Sequence, residues 1–386
     1  MDLNLSEEHK TVRNAAKSFA QSHLLEGVIE RDRHMEHPAE EVKEMGVMGF
    51  MGIMTSPAYG GSGMDTLSYV LVLEEISKID ASAAVIMSAH NSLVLWAIES
   101  YGTAAQKENY LIPMASGQSL GCFCLSEPEA GSDATMQRTT AEDKGAYYLL
   151  NGVKNWITNG GHATYQLVIA QTNPDKKHKG INAFIVEKKW DGVTIGPKED
   201  KLGIRSSDTH SISYTDVKVP KENRIGPDGF GFKLAMQILE GGRIGIAAQA
   251  LGIAAGAYER SVTYAKERNA FGKPIAEHQA IAFKLAEMAT DIEAARMLVY
   301  RAAVLKDQGV PFGYASAMAK LKASEIAMKH TVEAVQIHGG NGYVKEYHVE
   351  RLMRDAKITQ IYEGTSEIHK IILSRNILNG ELYLPI

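Results

Sequence analysis

One carboxylate in this chain is placed as a catalytic base would be. Glu363 lies in the stretch Ile361–His369, which reads Ile-Tyr-Glu-Gly-Thr-Ser-Glu-Ile-His, just ahead of a helix-start signal. Gly364 carries no side chain, so a ligand could approach the backbone closely while the carboxylate points at the same place. Such a carboxylate could remove a proton as a general base. An isolated Tyr-Glu-Gly-Thr is more often a surface acid, so other parts of the chain must decide.

The element that must hold this carboxylate is the helix that follows it. Thr365 is a good helix N-cap, and Glu367 suits the first turn because an acidic side chain there interacts favourably with the helix dipole. Ile368, Ile371 and Ile372 then recur at the spacing of one buried helical face. We therefore predict a helix that begins after Thr365 and buries these isoleucines.

Length and composition indicate an ordinary globular protein. A chain of 386 residues can bury a large core and usually forms two or three domains. The charged fraction is 23% and the net charge is −5, without long blocks of one sign, which disfavours a nucleic-acid partner. The acidic N-terminus lacks a signal-peptide pattern, and no stretch is expected to approach membrane-spanning length. We expect a soluble protein without a membrane span.

The two cysteines limit the redox and metal chemistry. Cys122 and Cys124 alternate with Gly121 and Phe123 in a predicted strand, so they provide neither a disulfide framework nor a four-ligand metal site. We predict no metal site and a reducing compartment. The bacterial cytoplasm is favoured, and the mitochondrial matrix, for a mature protein, remains open.

The periodicity of the apolar residues divides the chain into three segments. Residues 1–118 and 225–386 are predicted to be helical, and residues 119–224 are predicted to form strands. In the last segment one bundle helix has a seam of apolar residues four and three apart: Ile281, Leu285, Met288, Ile292, Ala295, Val299 and Ala302. The expected fold is α+β, with an N-terminal helical domain, a central antiparallel β domain and a C-terminal four-helix bundle. This order differs from the strand-helix alternation of a doubly wound sheet.

The clearest strand signal is a predicted hairpin. Residues 147–150 and 153–157 would form two strands joined by Asn151-Gly152, the dipeptide that favours a type I′ turn. Three further runs, residues 165–172, 181–187 and 211–219, are rich in β-branched and aromatic residues. They would complete a small sheet.

A glycine group follows a predicted helix near the end of the chain. That helix carries Leu321, Met328, Val332 and Val335 on one face, and it ends at Gly339-Gly340-Asn341-Gly342. Because the glycines follow a helix, they do not form the dinucleotide-binding fingerprint that follows a strand. A plain helix end and a contact with a flat or anionic cofactor are both compatible with them.

Several motifs together point to one family. They are Phe123-Cys124-Leu125-Ser126-Glu127-Pro128-Glu129-Ala130-Gly131-Ser132-Asp133-Ala134, Trp156-Ile157-Thr158-Asn159-Gly160, Arg268-Asn269-Ala270-Phe271-Gly272, Gln336 to Gly340, and Tyr362-Glu363-Gly364-Thr365. In this order and spacing the chain resembles the acyl-CoA dehydrogenases over essentially its whole length, most of all their short-chain, butyryl-CoA branch. The resemblance implies the three-part fold described above, non-covalently bound FAD and a homotetramer.

The resemblance also implies a reaction. Glu363 would remove the α proton of an acyl-CoA thioester while the β hydride goes to the flavin, giving a trans-2-enoyl-CoA and passing electrons to an electron-transferring flavoprotein. The backbone N–H of Glu363 and a ribityl hydroxyl of FAD would hold the thioester oxygen. Butyryl-CoA is the favoured substrate, with short branched acyl groups as neighbours. An oxidase or monooxygenase of the same fold and a flavin-bearing protein without turnover are the alternatives.

The implied FAD contacts come from every motif. They are Phe123, Leu125, Ser126, Trp156, Ile157, Thr158, Arg268, Phe271, Gln279, Gln336, Ile337, Gly339, Gly340, Thr365 and Glu367. Arg268 would meet an FAD phosphate across a subunit boundary. Taken singly, these residues have plainer roles: Trp156 as core packing, Ser126 as a turn hydroxyl and Arg268 as a helix C-terminal cation.

The implied substrate contacts lie on three segments. They are Ser132, Glu240, Arg243, Tyr362 and Gly364. Some relatives carry their base on the helix that holds Glu240 and Arg243, at a position that corresponds to Gly242 here, which leaves Glu363 as the candidate. Trp96 could shorten an acyl tunnel or pack in the helical core.

Overall fold

The structure is a computed structural model that describes residues 4–380, and its first part is helical. The helices are α1 (Glu7–Phe19), α2 (Val28–His34), α3 (Ala39–Val47), α4 (Thr66–Ser77), α5 (Ala81–Ser88), α6 (Trp96–Tyr101), α7 (Ala104–Gln106) and α8 (Ile112–Ala115). Asp65 and Asp80 cap α4 and α5, and both helices are buried along their whole length. These two helices form the centre of the N-terminal part.

One helical stretch has the length and composition of a membrane span. Helices α5 and α6 are joined by a π-helical segment, Ala89–Leu95, into a continuous stretch, Ala81–Tyr101, whose mean hydropathy is 1.4. The expectation that no stretch approaches such a length was therefore wrong. Because 94% of its most apolar window is buried inside the protein, the stretch also fits a core helix packed against the rest of the fold.

The central part is a sheet of eight strands within the described residues. They are β1 (Gly121–Cys124), β2 (Thr140–Asp143), β3 (Tyr147–Thr158), β4 (Tyr165–Gln171), β5 (Ile181–Glu187), β6 (Val193–Lys198), β7 (Thr209–Pro220) and β8 (Arg224–Ile225). The strand order is β6-β7-β3-β2-β4-β5-β8, with β1 beside β4. Most pairings are antiparallel, whereas β1 and β2 pair with β4 in parallel.

The predicted hairpin at Asn151-Gly152 is wrong. The dipeptide lies inside β3, which continues through it and pairs with β7 on both sides, with a register shift between Leu150 and Gly152. A Cβ at Gly152 would lie 2.5 Å from Thr139 Oγ1, and the Asn151 side chain accepts the N–H of Asp216 at 2.9 Å. The glycine thus serves a bulge and a close backbone approach, not a turn.

The last part of the described chain is again helical. Its elements are α9 (Gly231–Glu267), the short strands β9 (Asn269–Ala270) and β10 (Lys273–Pro274), α10 (Gln279–Asp307), α11 (Gly313–His338), α12 (Val349–Ile358) and α13 (Ser366–Leu378). The seam predicted for α10 is buried from Met288 to Ala302, while Ile281 and Leu285 are only partly covered. The predicted boundary after residue 118 falls between α8 and β1, and the one after residue 224 falls inside β8; both stay predictions.

Two predicted helix faces are only partly buried. On α11 the buried side carries small residues such as Ala319 and Ala323, whereas Val332 is 45% exposed. On α13 only Ser366 and His369 are buried, and Ile371 is 43% exposed. Small residues allow α11 to approach α9 closely. Of the predicted face, Met328 and Val335 pack partly against the core, whereas Val332 is not covered by this chain.

Candidate active site

Glu363 lies on a strained turn between α12 and α13. Its φ is 51° and that of Gly364 is 96°, so two successive residues adopt the left-handed conformation. A non-glycine residue held there costs on the order of 1 kcal/mol or more, and such strain is concentrated at functional sites. The N-cap prediction is confirmed, since Thr365 Oγ1 accepts the N–H of Ile368 at 3.4 Å and fixes the start of α13.

Two side chains from distant helices hold this turn. Lys320, fully buried on α11, donates from Nζ to the carbonyl oxygen of Gly364 at 2.6 Å. The hydroxyl of Tyr362 donates to Oε1 of Gln249 on α9. No local pattern identifies Lys320 or Gln249, because both contacts join residues far apart in the chain.

The carboxylate of Glu363 is buried, and its Oε2 has no hydrogen-bond partner among the described residues. Burial raises the pKa of Glu363 to about 7, against the opposing effect of the Lys320 and Arg243 charges. Burial also lowers the pKa of Lys320 to about 7, and here Glu363 opposes the shift. The two groups therefore titrate as a pair near neutral pH, the range in which a general base works best.

At Gly242, helix α9 brings its backbone up against this carboxylate. A Cβ at Gly242 would lie 2.1 Å from Glu363 Oε2 and 2.7 Å from Leu93 Cδ2. One turn later, a Cβ at Gly245 would lie 2.4 Å from both the Tyr69 hydroxyl and Ser88 Oγ. Only glycine fits at these positions, so α9 forms a wall directly against the Glu363 carboxylate.

The backbone N–H of Glu363 is available as a donor. Among residues 4–380 no hydrogen bond of the chain takes up this N–H. A donor beside a carboxylate can hold an oxygen of a substrate whose neighbouring C–H the carboxylate attacks.

The first group of predicted cofactor residues meets at the edge of the sheet. Asn155 N–H on β3 donates to the carbonyl of Ser126 at 2.8 Å, so the loop after β1 lies beside the segment that carries Trp156 and Thr158. Trp156 is 61% exposed with φ 61°, which rules out plain core packing for it. Of the other members, Phe123 is half-buried, and Leu125 and Ile157 are buried.

A buried ion pair that the sequence analysis missed fixes this loop. Lys154 Nζ donates to Glu127 Oε1 at 2.8 Å and to the carbonyl of Leu125 at 3.0 Å. The N–H groups of Arg138 and Thr139 donate to the same carboxylate. The chain on both sides of Ser132 is therefore anchored to β3.

The second group lies at the other end of the helical part. Arg268 follows the last residue of α9, and Phe271, 97% exposed with φ 52°, lies between β9 and β10. The rings of Tyr264 and His338 stack at 4.3 Å, which brings the C-terminal ends of α9 and α11 together. This end carries further exposed predicted contacts: Gln279, Gln336, Gly339 and Gly340.

The two groups lie far apart within one chain. At 1.5 Å per residue, α9 places Arg268 about 40 Å from Gly242, which touches Glu363. One dinucleotide bound beside Glu363 cannot also reach Arg268 of the same chain.

Sequence comparison decides the family. Profiles of the acyl-CoA dehydrogenase N-terminal, middle and C-terminal domains match residues 6–118, 122–217 and 229–378. The chain belongs to the acyl-CoA dehydrogenase family. It is 48% identical over 377 residues to the short-chain specific acyl-CoA dehydrogenase of Clostridium acetobutylicum, covering 98% of this chain and 100% of that protein.

Solved structures of acyl-CoA dehydrogenase type share the whole fold. Butyryl-CoA dehydrogenase of Megasphaera elsdenii superimposes with a TM-score of 0.96 at 48% identity, covering 98% of this chain and 100% of that chain. A chain in the structure of the electron transferring flavoprotein of Acidaminococcus fermentans, solved towards a mechanism of flavin-based electron bifurcation, gives a TM-score of 0.97 at 49% identity with the same coverage. The predicted α+β architecture is thereby confirmed.

The predicted substrate residues of this acyl-CoA dehydrogenase do not all meet at Glu363. Arg243 is buried beside it, and burial lowers the pKa of Arg243. Glu240 lines an open groove of about 620 Å³ with Lys306 and Tyr314, whereas Ser132 lies on an exposed loop. The ring of Trp96 packs edge-on against Tyr101 at 6.0 Å, which favours the packing role.

Proposed function

We propose that this chain is an FAD-dependent dehydrogenase of short-chain acyl-CoA thioesters, with butyryl-CoA as the favoured substrate. The observation that carries the proposal is Glu363: a buried carboxylate with a pKa raised to about 7, on a strained turn, beside its own free N–H. Similarity to butyryl-CoA dehydrogenase over the full chain supports the substrate class.

The residues present fit FAD. Trp156 offers an exposed indole on a strained backbone, as expected of a ring that covers a flat ligand. A Cβ at Gly339 or Gly340 would meet no atom within 4 Å, so an anionic or planar group can approach this backbone. Bound FAD would supply the acceptor for the β hydride, which no side chain can provide.

The chain's own residues would move one proton. With the acyl chain bound and water excluded, the Glu363 carboxylate takes the α proton, the C–H electron pair forms the new C=C bond, and the β carbon loses hydride. The Glu363 N–H donates to the thioester oxygen and stabilises the negative charge that develops there. Lys320 keeps the turn in place through Gly364, and the nearby Arg243 charge favours the ionised carboxylate.

The position of the CoA portion follows from the groove beside Glu240. Glu240 lies one turn before Arg243 on α9, and Lys306 in the same groove offers a cation to a phosphate. We propose that Arg243, Tyr362 and Gly364 contact the acyl end, that Glu240 lies toward the CoA end and that Ser132 faces the substrate from its exposed loop.

The assembly proposed is a homotetramer in which two chains complete each FAD site. Its support is the separation between Glu363 and Arg268, together with the uncovered apolar side chains of α11 and α13. In this arrangement Arg268, Phe271 and Gln279 of one chain serve the flavin whose base is in the next.

The proposed electron acceptor is an electron-transferring flavoprotein, and the proposed compartment is a reducing one, the bacterial cytoplasm. The likeness to a chain in an electron transferring flavoprotein structure supports the partner. Cys122 and Cys124 are buried and free, with sulfurs 3.7 Å apart, which fits a reducing environment.

The test is an anaerobic titration of the purified, FAD-loaded protein with butyryl-CoA. We expect the oxidised flavin absorbance to bleach in the wild type and in Glu325→Gln, a control on the surface of α11, and to persist in Glu363→Gln with the ligand bound. Normal bleaching in Glu363→Gln would refute the base assignment. Absence of bleaching in the wild type would refute the substrate, and rapid oxygen consumption without an added acceptor would identify an oxidase instead.

A further inference from the structure

A second cluster of polar side chains lies where the N-terminal helices meet the sheet. His37 comes from the segment between α2 and α3, His162 follows β3, and Asp208 precedes β7. One potential ligand atom from each lies within 4.8 Å of the other two. The side chains of Asp208 and His37 are buried, with 0% and 6% exposure, whereas that of His162 is 45% exposed.

The separations in this cluster are those of metal ligands. Asp208 Oδ1 lies 3.5 Å from His37 Nδ1 and 3.4 Å from His162 Nδ1. His37 Nδ1 and Asp208 Oδ1 are buried without a hydrogen-bond partner among the described residues. Two ligands about 2.0–2.1 Å from a tetrahedral Zn²⁺ are themselves about 3.4 Å apart. An ion among the three atoms would therefore satisfy both of the unpaired buried atoms.

The surroundings hold the carboxylate in position for such an ion. The N–H of Gly161 donates to Asp208 Oδ2 at 2.6 Å, which leaves Oδ1 facing the two imidazoles. His210 Nδ1 donates to the carbonyl of Gly196 at 2.8 Å, and its Nε2 lies 3.5 Å from Asp208 Oδ2. Imidazole nitrogens thus lie 3.4–3.5 Å from both oxygens of Asp208.

Three lysines near this site donate to backbone carbonyl oxygens, and the charges of Lys198 and Lys201 also interact with Asp208. Lys188, Lys198 and Lys201 each donate to a backbone carbonyl oxygen, of Gly161, Met35 and Ser207 respectively. The rings of His37 and His162 stack at 3.7 Å, so protonating both would place two positive charges face to face. A single shared cation avoids that repulsion.

We propose that His37, His162 and Asp208 bind one divalent transition-metal ion, of which Zn²⁺ is the reference species. Imidazole and carboxylate ligands suit Zn²⁺ and Co²⁺, and the two rings, now 9° from parallel, tilt toward the ion when it binds. The exposed edge of His162 gives the ion and a water ligand access from solvent. The ion joins the N-terminal helical part to the sheet and stabilises the fold, a role that the sequence analysis did not foresee.

Metal binding is tested on the chelator-treated, FAD-loaded full chain. Calorimetric titration with Zn²⁺ is expected to give one ion per chain, and Co²⁺ is expected to add absorption at wavelengths beyond the flavin bands. His37→Ala and Asp208→Asn should weaken binding at least tenfold and abolish the Zn²⁺-dependent rise in melting temperature. His34→Ala, an exposed histidine on α2, is the matched control and should bind as the wild type does.

The side chain of His162 is half-exposed, so His162→Ala should fold even if the variants at buried positions do not. This variant therefore provides a second test of the proposal. Loss of binding in this folded variant supports the site. Less than one ion per chain in the wild type, or Zn²⁺ affinity unchanged in His162→Ala, would overturn it.

Discussion

Glu363 combines two properties that a single exposed carboxylate cannot have. Its burial makes ionisation unfavourable and so raises basicity, while the positive charges of Lys320 and Arg243 keep the ionised form accessible. Gly242 adds a steric condition, because the carboxylate oxygen occupies the place where a side chain at that position would begin. The Glu363 carboxylate is thus more basic than an exposed one, and its position is restricted by α9.

The pH dependence of the reaction should report this pair. The ionised base is needed, so kcat/KM for butyryl-CoA should rise through pH 7 and level off above it. Lys320→Met removes a charge that lowers the pKa of Glu363. The rise in kcat/KM should therefore occur at a pH higher by about one unit or more. Lys322→Met, which changes a partly exposed lysine of the same helix, should not change the pH at which kcat/KM rises. A downward shift in Lys320→Met would contradict the assignment.

The same burial should lower the stability of the protein at alkaline pH. Below pH 4.5 the folded and unfolded states both hold the proton and Glu363 has no effect; the penalty grows from there and is complete above about pH 7. A rise from 4.5 to about 7, at about 1.4 kcal/mol per unit, sets an upper limit of roughly 3.5 kcal/mol. Denaturant unfolding should therefore show Glu363→Gln more stable than the wild type at pH 8 but not at pH 4.5. Equal differences at both values would exclude this explanation.

Local sequence patterns identified part of the candidate site. The remaining residues are brought to it by long-range contacts, which such patterns do not indicate. Thr365 and Glu363 could be placed from the sequence because a helix start needs only neighbouring residues. Lys320 could not, since a lysine within a helix normally faces solvent and only the tertiary fold brings it to Gly364. The same holds for Asp208 and His37, which lie on segments that meet only in the folded chain.

At the scale of elements, α9 is the wall against which the Glu363 carboxylate, the proposed base, lies. Gly242→Ala would push a methyl group into the Glu363 carboxylate, and a displacement of about 1 Å at the reacting atoms can cost 100-fold in rate. We expect a loss of that order in the rate of anaerobic flavin reduction. Gly241→Ala is the matched control, because its Cβ would meet only Lys306 Nζ at 3.6 Å. Equal effects of the two substitutions would show that helix propensity, not the site, is responsible.

The loop between β1 and β2 depends on the buried pair of Lys154 and Glu127. Lys154→Met leaves a buried carboxylate without its cation, and breaking such a pair destabilises a protein by about 3–5 kcal/mol. We expect a lower melting temperature and faster loss of FAD on dilution. Lys144→Met, which removes an exposed pair with Glu142, should change neither. Unaltered FAD retention in Lys154→Met would show that this loop does not contribute to FAD binding.

Element prediction failed where one pattern serves two structures. Asn151-Gly152 favours a turn locally, yet the same glycine also suits a bulge, and only the neighbouring Thr139 distinguishes the two. The predicted α11 face was only partly correct: Met328 and Val335 pack against the core, but Val332 is exposed, because close packing against α9 places alanines at the centre of the buried side. The strand at residues 181–187 and the α10 seam from Met288 onward were predicted correctly, because each of these patterns is compatible with only one type of element.

At the scale of the whole molecule, one chain carries the halves of two proposed FAD sites. Hybrid assemblies test this directly. Arg268→Ala and Glu363→Gln should each be inactive alone, but a mixed assembly has sites that combine Glu363 of one chain with Arg268 of another. Co-expression should therefore restore about a quarter to a half of the wild-type activity per assembly. No recovery in purified hybrids would show that each chain contains a complete site.

Helix α9 also has a consequence for how the protein folds. Its interior contains five glycines: Gly241, Gly242, Gly245, Gly252 and Gly256. Each lowers helix stability by roughly 0.5–1 kcal/mol relative to alanine, so the segment alone would be a poor helix. A Cβ at Gly252 or Gly256 would lie 2.4 Å from a backbone carbonyl oxygen at Glu74 or Lys78, which shows what the glycines permit. We therefore expect helix α9 to become ordered only as it docks against the rest of the fold, so that the wall beside Glu363 is completed together with the core.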